Sequence, residues 1–141
     1  MHLAGRYASS VPFALALTVI LAALAIFQLA LILGAPWGRL AWGGRHRVLP
    51  ARLRIGSAVA IVIYALIVVI ALDRLGAIDV FPESFAAIAM WVVFGYFVLG
   101  IVVNAASRSK PERYTMVPVT IVLAALSFFI AMGYGALATP T

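Results

Sequence analysis

Four stretches of the 141-residue chain contain no Asp, Glu, Lys, Arg or His: 7–38, 55–72, 84–107 and 114–141. Each reaches the roughly 18 residues needed to cross about 30 Å of hydrocarbon at about 1.5 Å per helical residue. Inside a bilayer an isolated segment must satisfy its backbone hydrogen bonds internally, so β-branched residues in these runs do not argue for strands. We expect helices at 11–34, 55–72, 84–106 and 114–137, forming one four-helix antiparallel transmembrane bundle over residues 1–141. The run at 55–72 is the tightest fit and is expected to cross with little tilt. Composition agrees. Hydrophobic residues make up 66% and charged residues 10%, against about 45–50% and about 25% in soluble domains.

The first run has features of a secretory leader, with Arg6 ahead of it and Ala23-Leu24-Ala25 as a small-x-small triplet. A leader's apolar region is usually about 7–15 residues, and this run is far longer, with the triplet inside it. It is read as a retained helix.

Orientation follows from the basic residues. Arg39, Arg45, Arg47, Arg52 and Arg54 fall in connection 35–54, and Arg108, Lys110 and Arg113 in connection 107–113. With four spans these connections share a side, and the opposite side holds only Arg6 and Arg74 with Asp73, Asp79 and Glu83. The positive-inside rule therefore predicts cytoplasmic first and third connections, with both termini outside.

Local signals mark the helix ends. Pro82-Glu83 suits the start of the third helix. Ser109-Lys110-Pro111-Glu112 fits a capping box for the fourth. That helix would then contain Pro118, with a kink near the cytoplasmic interface. Gly34, Pro36 and Gly38 close the first helix, and Gly43-Gly44 breaks the connection again.

No ionisable group lies at depth, which disfavours proton-coupled export and many intramembrane chemistries. The remaining polar residues, Gln28, Ser57, Asn104 and Thr120, cluster towards the cytoplasmic half, with Tyr64 and Tyr96 near the middle. They have two readings: hydrogen bonds between helices, or a polar vestibule ringed by arginine. Their neutrality favours the first.

The stretch LGAPWGRLAWGGRHRVLPARLR raises the anion question. Arginine forks match phosphate and carboxylate, but neither the P-loop pattern nor G-x-G-x-x-G is present. Trp37 and Trp42 beside Arg39, Arg45, Arg47, Arg52 and Arg54 read first as a surface segment against anionic headgroups. Specific binding of a phospho-headgroup, with Arg108 and Arg113 contributing, is the sharper alternative. The absence of cysteine excludes disulfides and thiolate chemistry. His46 sits between two arginines and His2 falls on the other side, so no metal site is expected. The serines lack a base–acid pair for a hydrolase triad. Asp73, Asp79 and Glu83 are expected to solvate their connection.

With Gly34-Ala35-Pro36-Trp37-Gly38, Ala41-Trp42-Gly43-Gly44, Leu49-Pro50, Leu53-Arg54 and the Asn104–Ser109 stretch in view, the chain resembles a family of small uncharacterised four-helix bacterial membrane proteins. The resemblance covers nearly the whole chain and implies a bacterial inner membrane. It carries over no catalytic or binding residue. An arginine-dominated basic set points the same way, towards a GC-rich bacterial genome. The expectation is a non-enzymatic membrane component without cofactors or nucleic-acid partners. It would bind anionic lipid, a second copy or a membrane-protein partner. The alternative is an oligomeric channel or carrier for a small neutral or anionic solute.

Overall fold

The computed structural model describes residues 2–133, with side chains from Pro12 onward. Four α-helices account for most of it: α1 (His2–Ile32), α2 (Ala51–Arg74), α3 (Glu83–Ala105) and α4 (Lys110–Ala131). Two short 3-10 turns, Gly38–Leu40 and Trp42–Gly44, lie between α1 and α2. Pro12–Ile32 of α1 and all of α2, α3 and α4 are each long and apolar enough to cross a membrane. The chain is an all-α, multi-pass membrane protein.

The helix bounds differ from the sequence reading where charged residues flank the apolar runs. Such residues were assigned to connections, yet a helix needs apolar cover only within lipid and can continue into the headgroup layer. So α1 starts at His2 rather than 11 and continues through Pro12. The N–H groups of Leu53 and Arg54 both bond the carbonyl of Pro50. That first turn moves Arg52 and Arg54 from the expected connection onto α2. Helix α4 starts at Lys110 with Pro111 in its first turn and runs unbroken through Pro118. It therefore includes Arg113, which was assigned to the connection. After Ala131 a turn at Met132 and Gly133 follows, Gly133 having a φ of 87°. Helix α4 therefore stops short of the expected end at 137, because the left-handed backbone at Gly133 closes its last turn; residues beyond 133 lie outside the described ones.

Helix α1 pairs with α2 and α3 with α4, while the α2–α3 and α1–α4 contacts close the bundle. The core joins Leu17 and Leu21 of α1, Ile67 and Ile70 of α2, Met90 and Phe97 of α3, and Leu123 and Ile130 of α4. Trp91, Phe94 and Phe128 pack edge-to-face or tilted, with centroids 5.5–6.0 Å apart across α3 and α4. Such aromatic contacts add to area burial. Outside, Ile26, Val62 and Ile88 are each about two-thirds exposed. In water this surface would aggregate; in lipid it is solvated, so packing and polar contacts have to hold the helices together.

The ends of the bundle are fixed by contacts. At one end the α1–α2 and α3–α4 connections meet, where Ser109 Oγ donates to the Arg39 carbonyl at 2.5 Å. At the other, the end of α2 meets the end of α4, where Arg74 Nη2 donates to the Ala131 carbonyl at 3.0 Å. Phe13 and Phe129 pack 6.0 Å apart, so the N-terminal half of α1 runs beside the C-terminal half of α4.

Candidate functional site

The α1–α2 connection is a folded unit that closes over one end of the bundle. Gly34, at φ 98°, ends α1. Gly38 N–H then donates to the Arg47 carbonyl at 2.8 Å, and a Cβ on Gly38 would lie only 2.0 Å from the His46 carbonyl oxygen. Residues 41–44 form a tight turn with positive φ at Trp42 (54°) and Gly43 (81°), closed by Gly44 N–H to the Ala41 carbonyl at 2.9 Å. These angles match a type I′ turn. Trp42 is the only non-glycine with positive φ among the described residues. That conformation costs roughly 1–2 kcal/mol for a residue with a Cβ.

The indole offsets that strain. Its Nε1 donates to Ser57 Oγ on α2 at 3.1 Å, and its six-membered ring lies over Gly56, where a Cβ would approach to 2.8 Å. Gly44 presses on the start of α4, a Cβ there falling 2.3 Å from that of Ser109. Gly38, Gly44 and Gly56 thus serve close approach within the protein, and Gly43 the positive φ of the turn. Trp42 stays partly exposed, but its polar edge is bonded inward. Trp37 is half exposed, as a headgroup anchor would be.

The arginines divide into two groups. Arg54 Nε donates to the Leu49 carbonyl at 2.8 Å and its Nη1 to the Ile32 carbonyl at 3.3 Å, the last residue of α1. Arg113 Nη1 donates to the Ser107 carbonyl at 3.0 Å, just past α3, with its guanidinium 5.2 Å from the Tyr114 ring. A cation at a helix C-terminus meets unpaired carbonyls and the negative end of the dipole. The remaining members, Arg39, Arg45, Arg47, Arg52 and Arg108, are exposed, as is Lys110.

Beneath them lies a carboxylate that sequence reasoning assigned elsewhere. Ser109 is the N-cap residue of α4 but makes no side-chain cap bond. Its hydroxyl goes to Arg39, and Glu112 accepts instead from Ser107 Oγ at 2.6 Å. Ser107 Oγ also accepts from Ser109 N–H at 3.1 Å. The capping-box pattern is present in sequence, but the tertiary contact with Arg39 takes its serine. Glu112 is 5% exposed, placing a buried acid under the basic surface.

The intramembrane polar residues are largely bonded in pairs, although Tyr64, Asn104 and Thr120 also line one cavity. Asn104 Nδ2 donates to Thr120 Oγ1 at 2.9 Å, joining α3 to α4, and Thr120 Oγ1 donates to the Met116 carbonyl at 2.6 Å. Ser57 belongs to Trp42. Gln28 lies beside Tyr64, yet its Oε1 is buried without a partner. Ser127 is fully buried with an unpaired hydroxyl. Sequence reasoning missed it because one serine in an apolar run carries no signal of facing inward.

At the opposite end Asp73 is buried, although solvation was expected of it. Its Oδ2 accepts from Val80 N–H at 2.6 Å and Phe81 N–H at 2.8 Å. It therefore folds the α2–α3 connection, while Arg74 caps α4. Among the described residues no group of three metal-ligating side chains comes together.

No protein-family model, curated protein or solved structure matches this chain.

Proposed function

We propose that this is a non-enzymatic membrane component whose arginine-rich end binds anionic lipid headgroups. The observation that carries the reading is the division of the arginines. Arg54 and Arg113 are held by protein carbonyls, whereas Arg39, Arg45, Arg47, Arg52 and Arg108 stand exposed on a braced surface. A loop whose only task was to set topology would not need its backbone locked to α2 and α4. Bracing fixes where the guanidinium groups stand, and fixed donors lose less freedom on binding. Guanidinium suits phosphate bidentately, and each basic residue near an anionic surface contributes about 1 kcal/mol.

Charge asymmetry supports placing this end in the cytoplasm. The family resemblance and arginine-rich composition support a bacterial inner membrane. The alternative of a channel or carrier has weaker support, because the polar groups are largely bonded in pairs and the folded connection covers one end. The resemblance to small four-helix bacterial membrane proteins is itself part of this proposal.

The test is lipid selection in nanodiscs of mixed phosphatidylglycerol and phosphatidylethanolamine. Arg45→Gln, Arg47→Gln and Arg52→Gln together are expected to remove the enrichment of phosphatidylglycerol around the protein. Equal lipid composition around the native and triple-variant proteins would overturn the reading.

A further inference from the structure

Between α2 and α3 the bundle is open on its outer side. One cavity lies along this seam and a second, lined from all four helices, adjoins it at Tyr96, which lines both. The first, about 430 Å³, is walled by Ile63, Ile67 and Ile70 of α2 and by Phe85, Val92 and Val93 of α3. It contains no charged residue, and Tyr96 is its only polar side chain. The second, about 260 Å³, adds Tyr64, Asn104 and Thr120 among apolar neighbours. Both volumes approach or fall within the ~300–1,000 Å³ of small-molecule sites. Phe85, Val92, Tyr96 and Val103 share one face of α3 at helical spacing, so the seam is continuous from the apolar to the polar half. The polar half, Tyr96 to Asn104, extends roughly 12 Å along the axis.

We propose that this seam holds one neutral lipid alcohol, with its hydrocarbon in the apolar half and its hydroxyl-bearing head between Tyr64, Tyr96 and Asn104. Three observations select that occupant. First, the lining carries no Lys or Arg, and the basic residues of α3–α4 begin only beyond Ala105. A phosphate drawn to this depth would lie without a counter-charge.

Second, the polar half offers neutral donors and acceptors together. Asn104 donates one amide N–H to Thr120, leaving its second N–H and its Oδ1, and the Tyr64 and Tyr96 hydroxyls line the same cavity. A hydroxyl head, which both donates and accepts, matches that set. Third, the apolar half opens to lipid through the exposed Leu66, Ile88 and Val92, so a membrane-borne tail can enter sideways without crossing water. This site is separate from the arginine surface.

The experiment uses the full-length protein in phosphatidylcholine nanodiscs, with a dioleoylglycerol carrying a diazirine on one chain. The comparison probe is phosphatidylcholine with the same modified chain. The diacylglycerol probe is expected to label α2 and α3 along the seam about tenfold more than the phospholipid probe. Tyr64→Phe with Tyr96→Phe should reduce that excess about tenfold, as loss of two intramembrane hydrogen bonds implies. Ala89→Trp, which fills the apolar half, should have the same effect by a different route. Arg45→Gln should leave labelling unchanged even if it abolishes anionic-lipid enrichment. The proposal is overturned if both probes label equally, or if labelling survives both the double phenylalanine and the tryptophan changes. Cross-linking of two copies through α2 and α3 with the probe excluded would also overturn it.

Discussion

Arg54 and Arg74 stand near the two ends of α2 and perform the same task on different neighbours. Arg54 reaches the last carbonyl of α1, and Arg74 the last carbonyl of α4. Hydrogen bonds from a charged donor are worth about 1.5–3 kcal/mol when partly buried. Arg54→Gln is therefore expected to destabilise the protein by about 1–3 kcal/mol, and Arg45→Gln by under about 0.5 kcal/mol. Unfolding of purified protein in mixed micelles measures both. Equal small losses would show that the Arg54 contact carries no stability. Gly56 invites a second substitution. In Gly56→Ala the new methyl meets the Trp42 ring at 2.8 Å, so the indole must leave and its bond to Ser57 with it. With Trp37 and Trp91 replaced by Phe, Trp42 emission should shift red and become more accessible to aqueous quencher. An unchanged spectrum would mean that the ring moves aside without undocking.

At the scale of elements, α3 and α4 form the most tightly joined pair, through the aromatic cluster and the Asn104–Thr120 bond. In lipid such a bond is expected to contribute about 0.6–1.7 kcal/mol. A double-mutant cycle with Asn104→Ala and Thr120→Val should return a coupling of that size, and strict additivity would show the pair to be incidental. The α1–α2 connection behaves as an element too, because its glycines fit against backbone and against α4. Gly44→Ala forces a Cβ onto Ser109 at a residue with φ 70°. It should release the loop from α4 and speed proteolysis there, while leaving the helical content measured by circular dichroism unchanged.

For the whole molecule, the natural absence of cysteine makes topology directly measurable. A single cysteine at Arg45 is expected to resist a membrane-impermeant thiol reagent in intact cells, and one at Asp79 to react. The reverse pattern would invert the orientation and place the arginine surface outside.

The number of helices, their approximate positions and their membrane setting were legible in the sequence, because a charge-free run of sufficient length has few ways to be satisfied in water. Helix start signals such as Pro82-Glu83 and Pro111 were also legible, since they act over a single turn, whereas the capping box read at Ser109–Glu112 does not form. Other features depend on groups distant in sequence meeting in space: Arg54 with Ile32, Arg74 with Ala131, Trp42 with Ser57, Ser109 with Arg39. An arginine in a basic connection reads the same whether it faces a phosphate or a carbonyl, and a glycine pair reads the same whether it cradles an anion or a serine. Thus local composition, through the cost of burying charge and open backbone in hydrocarbon, set the four-helix membrane architecture. Only tertiary packing could decide which polar groups are consumed within the protein and which remain for a ligand, because that depends on which helix ends are brought within hydrogen-bond reach.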